Sequence, residues 1–322
     1  MSNKPKTQTQ QKQTSQPHNN QEAGERIQKV LARGGLGSRR EIERWIDEGR
    51  LVINGVKVIL GQSLKEGDLL HINGRVVNWE KFSQQATRVL VYHKPTGEVV
   101  TRRDPEGRPV IFTQLPKLPV GRWIAVGRLD INTSGLIMVT NNGELANRLM
   151  HPSSEIEREY AVRILGEVNE EMMTRLKAGV ELEDGEAHFD DVKFFAGEGA
   201  NKWYHVVVKE GRNRLVRRLW ESQEVTVSRL MRVRYGPAVL PERVKSHSYY
   251  ELDAKELAIL MEFVDMPAEK PQLPHWQQKK SFEKPKANTH PKKTRPQQHK
   301  SKTSNETTKP RNPQQKINRT RK

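Results

Sequence analysis

The chain contains no cysteine, which excludes disulfides, thiolate metal sites and cysteine nucleophiles. No run of about 18 apolar residues occurs, so no segment is expected to span a membrane. The first twenty residues are rich in Gln and Lys and lack an apolar stretch, so they do not read as a secretory signal. A cytoplasmic protein is the expectation. Aromatic residues make up 6% and hydrophobic residues 34%, and the mean hydropathy is −0.83. That is polar for a chain of 322 residues, so part of it is expected to be disordered. There is no G-x-x-x-x-G-K, no G-x-G-x-x-G, no H-E-x-x-H and no histidine cluster at metal-ligand spacing. Neither a nucleotide cofactor nor a metal is expected.

What is abundant is positive charge, and it is unevenly placed. Residues 268–322 carry 12 Lys and 4 Arg against 3 Glu, a net +13 of the chain's +17. Residues 1–20 add +3, which leaves +1 for the whole stretch 21–267. Basic tails of this kind bind polyanions by counterion release without reading sequence; the plainer alternative is a solubilising tail. The ends, 1–24 and 266–322, are expected to be disordered polar and basic segments. The length between them fits about two domains of roughly 100–200 residues or less.

From Glu25 the pattern becomes periodic. Ile27, Val30 and Leu31 recur at helical spacing, and Gly34, Gly35 and Gly37 break that helix. Ser38 to Glu41 is a capping box, S-x-x-E, opening a second helix with Ile42, Trp45 and Ile46 on its inner face and Gly49 at its end. Arg39, Arg40 and Arg44 fall on the outer side, where arginines are commonly just solvated. Leu51 to Ile53 and Val56 to Val58, joined by Asn54-Gly55, form a strong two-residue hairpin signal. Leu69 to Ile72 adds a strand. Residues 78–87 are polar and read as a linker.

Strands follow at Val89 to Tyr92, Trp123 to Val126, Leu136 to Val139, Glu159 to Ile164 and Trp203 to Val208, with two or three more within 225–253. Helices are expected over Glu144 to Met150, Val168 to Ala178 and Ala254 to Phe263, and a basic helix opens out of Gly211 to Trp220. Thr101 to Pro109 is a charged, Pro/Gly-punctuated loop that either touches a ligand or is a plain Ω-loop. Several strands and few helices between 88 and 265 predict an α+β domain around a mixed or antiparallel sheet.

Three places in this domain carry residues with chemical potential. Asp130 sits in the polar loop Gly127-Arg128-Leu129-Asp130-Ile131-Asn132-Thr133-Ser134-Gly135-Leu136, between two apolar runs. It is a plausible nucleophile, although Asp in such loops commonly bonds its own backbone. Tyr160 shares a strand face with Val162 and Ile164 and could be an ordinary core residue. Gly211-Arg212-Asn213-Arg214-Leu215-Val216-Arg217-Arg218 is a basic run that could be a solvated face.

Residues 25–77 resemble the S4 RNA-binding domain, through Leu31-Ala32-Arg33-Gly34-Gly35-Leu36-Gly37-Ser38-Arg39-Arg40 and Gly49 to Gly55, with Ile42 where Ala is common. Residues 88–265 resemble the pseudouridine synthase family, and most closely its branch acting on ribosomal RNA of the large subunit (23S). Three segments carry this. G-R-L-D-x-x-T-S-G-L is similar to the family's active-site segment. Lys94 to Gly97, K-P-x-G, is similar to its first motif, a tight turn under the active site. The run from Gly211 is similar to its third motif, with Leu215 where Gln or Glu is usual.

The resemblance implies an isomerase that converts a uridine in RNA to pseudouridine without metal or cofactor. Asp130 would be the catalytic carboxylate, Tyr160 would stack on the flipped target base, and Arg217 would form an ion pair with Asp130. RNA would be held by Arg39, Arg40 and Arg44 of the S4-like domain and by Arg128, Arg212 and Arg214 around the site. The implied partner is 23S ribosomal RNA or a large-subunit assembly precursor, met by a monomer. The alternatives are the same chemistry on small-subunit rRNA or tRNA, and a non-catalytic RNA-binding or ribosome-assembly factor.

Overall fold

The computed structural model describes residues 24–82, 85–199 and 201–268. The disordered tails expected at 1–24 and 266–322 therefore lie, apart from Gly24 and residues 266–268, outside the described residues. The first domain begins with β1 (Glu25–Arg26), α1 (Ile27–Arg33) and α2 (Arg39–Asp47). The predicted capping box starts α2: Ser38 Oγ accepts from Glu41 N at 3.1 Å, and Ser38 N donates to the Glu41 carboxylate at 3.2 Å. Reciprocal caps satisfy two otherwise orphaned donors. Strands β2 (Leu51–Ile53), β3 (Val56–Lys57), β4 (Ser63–Leu64), β5 (Leu70–Ile72) and β6 (Arg75–Val77) follow. Asn54 and Gly55 both have positive φ, 50° and 86°, which is the twist a two-residue hairpin between β2 and β3 needs.

The core of this domain joins Ile27, Leu31, Ile42, Ile46, Leu51 and Leu70 to Trp79 and Phe82. Two residues of the stretch 78–87, whose polarity predicts a linker, belong to this core. Two large aromatics in it complete the first domain's core, and Asn141 ties its far end, donating to Ala86 O and accepting from Arg88 N at 2.9 and 2.8 Å.

The second domain is built on β7 (Val89–Lys94), β8 (Ile124–Ala125), β9 (Ser134–Thr140), α3 (Gly143–Met150), β10 (Arg158–Leu165), α4 (Glu170–Ala178), β11 (Val180–Leu182) and β12 (Gly185–Ala187). It continues with β13 (Asp191–Ala196), β14 (Asn201–Val208), α5 (Leu215–Glu221), β15 (Thr226–Tyr235), β16 (Ala238–Val239), β17 (Tyr249–Glu251) and α6 (Ala254–Glu262). The main sheet runs β13-β14-β10-β15-β9-β7-β17, with β16 on β15 and β8 on β9. All its pairings are antiparallel except β15 with β9, so the predicted α+β class with a mixed sheet holds.

That one parallel junction constrains the sequence. Gly135 has φ +100°, and a Cβ there would lie 2.2 Å from Arg232 O. Only glycine fits the approach of β9 to β15. Val162, Ile164, Val206 and Val208 bury one side of the sheet against α5. Trp220 of α5 is fully buried and sits tilted against Phe189 and Tyr204 at 5.7 and 5.4 Å; truncating such a residue costs about 3–5 kcal/mol. On the other side α3 and α6 cover Val89, Val91, Leu136 and Met138.

Candidate active site

Between α5, the 127–133 loop and the sheet lies a cleft of about 470 Å³, lined by Asp130, Thr133, Tyr160, Arg128, Arg212 and Arg214 among others. That volume suits one small ligand group. The residues singled out in sequence thus converge from three distant segments. Asp130 caps a tight turn, with Thr133 N donating to its carbonyl at 3.0 Å. Its side chain is half-buried and, among the described residues, makes no hydrogen bond. The turn-former role falls to the Asp130 backbone, and the carboxylate faces the cleft.

Lys94 holds that turn from below. It is 0% exposed, and its Nζ donates to the carbonyls of Pro95, Asp130 and Thr133 at 2.9, 3.0 and 2.8 Å. A fourth carbonyl, Ile131 O, lies at 3.5 Å; the three closer acceptors match the three ammonium protons and satisfy the group. Burial pulls the Lys94 ammonium down to about 8, against the nearby Glu98 and Asp130 carboxylates that favour its charge. Glu98 is itself buried, accepts from Tyr92 Oη at 2.7 Å and has His247 Nδ1 at 3.2 Å. From sequence, Lys94 is expected only as part of a tight turn. The signal was a lysine ending an apolar strand, which is where a buried charge must find carbonyls.

Arg217 also holds the loop, but not as expected. Among the described residues no ion pair joins Arg217 to Asp130. Its guanidinium, 8% exposed, donates to Asn132 O and to Val227 O, both at 2.9 Å. Burial lowers its proton affinity below the ordinary arginine range, and Arg214 adds to this, while the Asp130 and Glu221 carboxylates oppose it. The physical reason for the difference lies in geometry. Arg217 points under the turn, where buried carbonyls need donors, and reaches Asp130 only through the field. Leu215, where the resemblance led one to expect a polar side chain, is buried in the hydrophobic core beside the cleft.

Tyr160 is half-buried on β10 and packs against the hydrophobic clusters on both flanks of the cleft. Core residue and cleft wall are here the same position. Arg128 is exposed, with no partner among the described residues. Arg214 is exposed and pairs with Glu221 at 3.2 Å. Arg212 is spent within the protein: it bonds Glu210, Asp184 and the carbonyls of residues 184, 185 and 186. On α2 of the first domain, Arg39, Arg40 and Arg44 are exposed.

Three further cleft residues were not foreseen. Arg158 and Arg232 both place their guanidinium 5.0 Å from the Tyr235 ring. Arg232 Nε donates to Leu136 O at 2.8 Å, and Tyr235 Oη donates to Leu149 O at 2.7 Å. Cation–π contacts of this kind hold arginines without carboxylates; Arg158 also donates to Lys209 O and to Tyr235 Oη, and among the described residues no carboxylate pairs with either charge. Their signal was parity: Arg158 shares the face of Tyr160, an inward position where a charge is unusual.

The family model described as RNA pseudouridylate synthase matches residues 88–222, and the S4 domain model matches residues 25–70. The chain is 57% identical over 244 residues to "Ribosomal large subunit pseudouridine synthase B" of Pseudomonas aeruginosa, a match covering 76% of this chain and 63% of that protein. The proteins of the same name from Pasteurella multocida and Escherichia coli K12 are 54% and 53% identical, with 76% of this chain matched and 72% and 85% of theirs. A solved structure described as "Crystal structure of pseudouridylate synthase" superposes with a TM-score of 0.52 at 23% identity, over 74% of this chain and all of that one; this bears on the fold alone. The chain belongs to the RNA pseudouridine synthases, in the group that carries an S4 domain ahead of the synthase domain.

Proposed function

We propose that the chain isomerises a specific uridine of the large-subunit (23S) ribosomal RNA, free or within an assembling subunit, to pseudouridine. It does so as a monomer in the cytoplasm. The observation that carries the reading is the convergence of Asp130, Tyr160 and the Arg217-held loop on one arginine-lined cleft. The ribosomal substrate comes from the names of the relatives at 52–57% identity.

A uridine in folded RNA must leave its stack before its glycosidic bond is reachable, at a cost of a few kcal/mol. Tyr160 offers the flipped base a replacement stack. Asp130 assists breaking of the N1–C1′ bond; the uracil turns in the cleft and rejoins through C5. The C5 proton is released and N1 regains one, so nothing is oxidised and no group is lost. Lys94 and Arg217 are positioning residues: they fix the carbonyls around Asp130 and so its carboxylate. Arg128, Arg158 and Arg232 favour the phosphates of the bound nucleotide, and Arg39, Arg40 and Arg44 grip RNA farther away.

The test is pseudouridine mapping of ribosomal RNA from a deletion strain, complemented with wild-type or Asp130→Asn protein. One 23S site should vanish on deletion and return only with the wild type. Loss of a small-subunit or tRNA site instead, or no loss, overturns the assignment.

A further inference from the structure

The sheet has a second surface that the chemistry does not use. Along β14, Tyr204, Val206 and Val208 enter the core beside the cleft. Trp203, His205 and Val207 must therefore face the other way. The register extends this face across four strands. Asp191, Val207, Glu159 and Arg234 form one row; Lys193, His205, Ala161 and Met231 the next; Trp203, Arg163 and Arg229 a third. Paired residues share a face. The β-bulge between Phe194 and Ala196 leaves Phe195 outside the register, with its ring 4.6 Å from that of His205.

On this side α3 and α6 pack over β7 and β9 and, at one end of the sheet, over Tyr235 of β15 and Ala238 of β16. Over β13, β14, β10 and β15 every residue of the rows except Ala161 keeps accessible surface, and Phe195 is 67% exposed. The charges on the face are unbalanced. Glu159 is already bonded to His205 and Arg234 at 2.7 and 2.8 Å, and Asp191 to Lys193 at 2.6 Å. Among the described residues the Arg163 side chain bonds only Ser228 Oγ, at 2.9 Å, and it lies 5.9 Å from the Trp203 ring centre. Arg229 has no partner among the described residues.

We propose that this open face, with Phe195, Trp203 and His205 interleaved with Arg163 and Arg229, binds a single-stranded segment of RNA on the side of the sheet opposite the cleft. Accessible aromatic rings on a four-stranded sheet stack unpaired bases, and nearby guanidiniums meet the phosphates. An apolar protein surface is the poorer occupant, because it would bury the Arg163 and Arg229 charges without partners. The proposal rests on the reading of the chain as an enzyme of ribosomal RNA: it adds a second grip on the same substrate, away from the target base.

The test uses the full chain and a short oligoadenylate, which contains no uridine to be isomerised. Ultraviolet crosslinking with peptide mapping should find adducts at Phe195, Trp203 or His205. The double variant Phe195→Ala with Arg229→Glu should weaken oligoadenylate binding about tenfold at physiological salt, whereas Phe195→Trp should retain it. Both positions are exposed, so folding is not at stake; activity on a minimal stem–loop should be unchanged, with KM raised only on long ribosomal RNA. Unchanged affinity, or adducts confined to other regions, overturns the proposal. So does a dimer, seen by sedimentation, that the double variant dissolves, since the face would then join two copies. Failure of the enzymatic reading would appear separately, as a stem–loop that the wild-type protein leaves unmodified.

Discussion

Lys94 and Asp130 meet through the backbone: the buried ammonium donates to the Asp130 carbonyl at 3.0 Å and not to its carboxylate. The lysine therefore fixes where the 127–133 loop sits and leaves the Asp130 carboxylate unbonded, as its proposed role requires. Lys94→Met would strip donors from three buried carbonyls, each worth about 1–3 kcal/mol when left unpaired. We expect a lower melting temperature and a single-turnover rate reduced on the order of a hundredfold, the scale for a misplacement of about 1 Å. A variant with wild-type rate would refute this role.

The same residue predicts a pH dependence. With its folded value pulled from 10.5 to about 8, Lys94 loses its proton in the native state first. Between about pH 8 and 10.5 the unfolded chain binds more protons, so this group's contribution to stability rises with pH there; below about 8 its desolvation penalty is fully present. Catalysis should run the opposite way. A neutral amine keeps two N–H groups for three carbonyls, so the single-turnover rate should fall as pH passes about 8. Rate profiles and urea midpoints on the same samples check both signs; a rate flat to pH 10 contradicts the first.

Asp130→Asn or Asp130→Ala should abolish isomerisation and leave RNA affinity largely intact, since the carboxylate makes no hydrogen bond within the described residues and the proposed phosphate contacts belong to other side chains. Gel-shift affinity and pseudouridine formation on one RNA decide it. Substantial turnover by either variant would remove Asp130 from its role.

The arginines of the 211–218 run should separate by burial. Arg217→Met leaves Asn132 O and Val227 O without their donor and should cost both melting temperature and rate. Arg214→Met, at an exposed position, should stay within roughly 0.5 kcal/mol in stability. Arg212→Met should lower stability through the lost contacts to the β11–β12 turn more than it lowers the chemical step. Equal, mild losses at all three would show only a solvent-facing basic surface.

Removing residues 268–322, which hold +13 of the +17 net charge, should weaken RNA binding and flatten its salt dependence without changing which uridine is modified. Phosphate contacts position a protein but carry no sequence information. Modification of a different site by the truncated chain would mean that the tail reads sequence.

Much of this protein could be read in its linear order. The Ser38 capping box, the Asn54-Gly55 hairpin and the alternation along β10 and β14 are local, because caps, turns and strand parity depend on neighbours a few residues apart. The loop that carries Asp130 was legible for the same reason, being one continuous motif between two strands. What the tertiary structure alone decided is where charges end up. Trp79 and Phe82 bring a polar stretch into the core because they pack against the helices and strands of the first domain. Arg217 lies under the loop, bonded to carbonyls far away in sequence, instead of against Asp130. The pairing of β15 with β9 brings Arg232 to the cleft and demands Gly135. Buried backbone groups must all be paired, and which side chain supplies the missing donor depends on distances set only when the sheet closes.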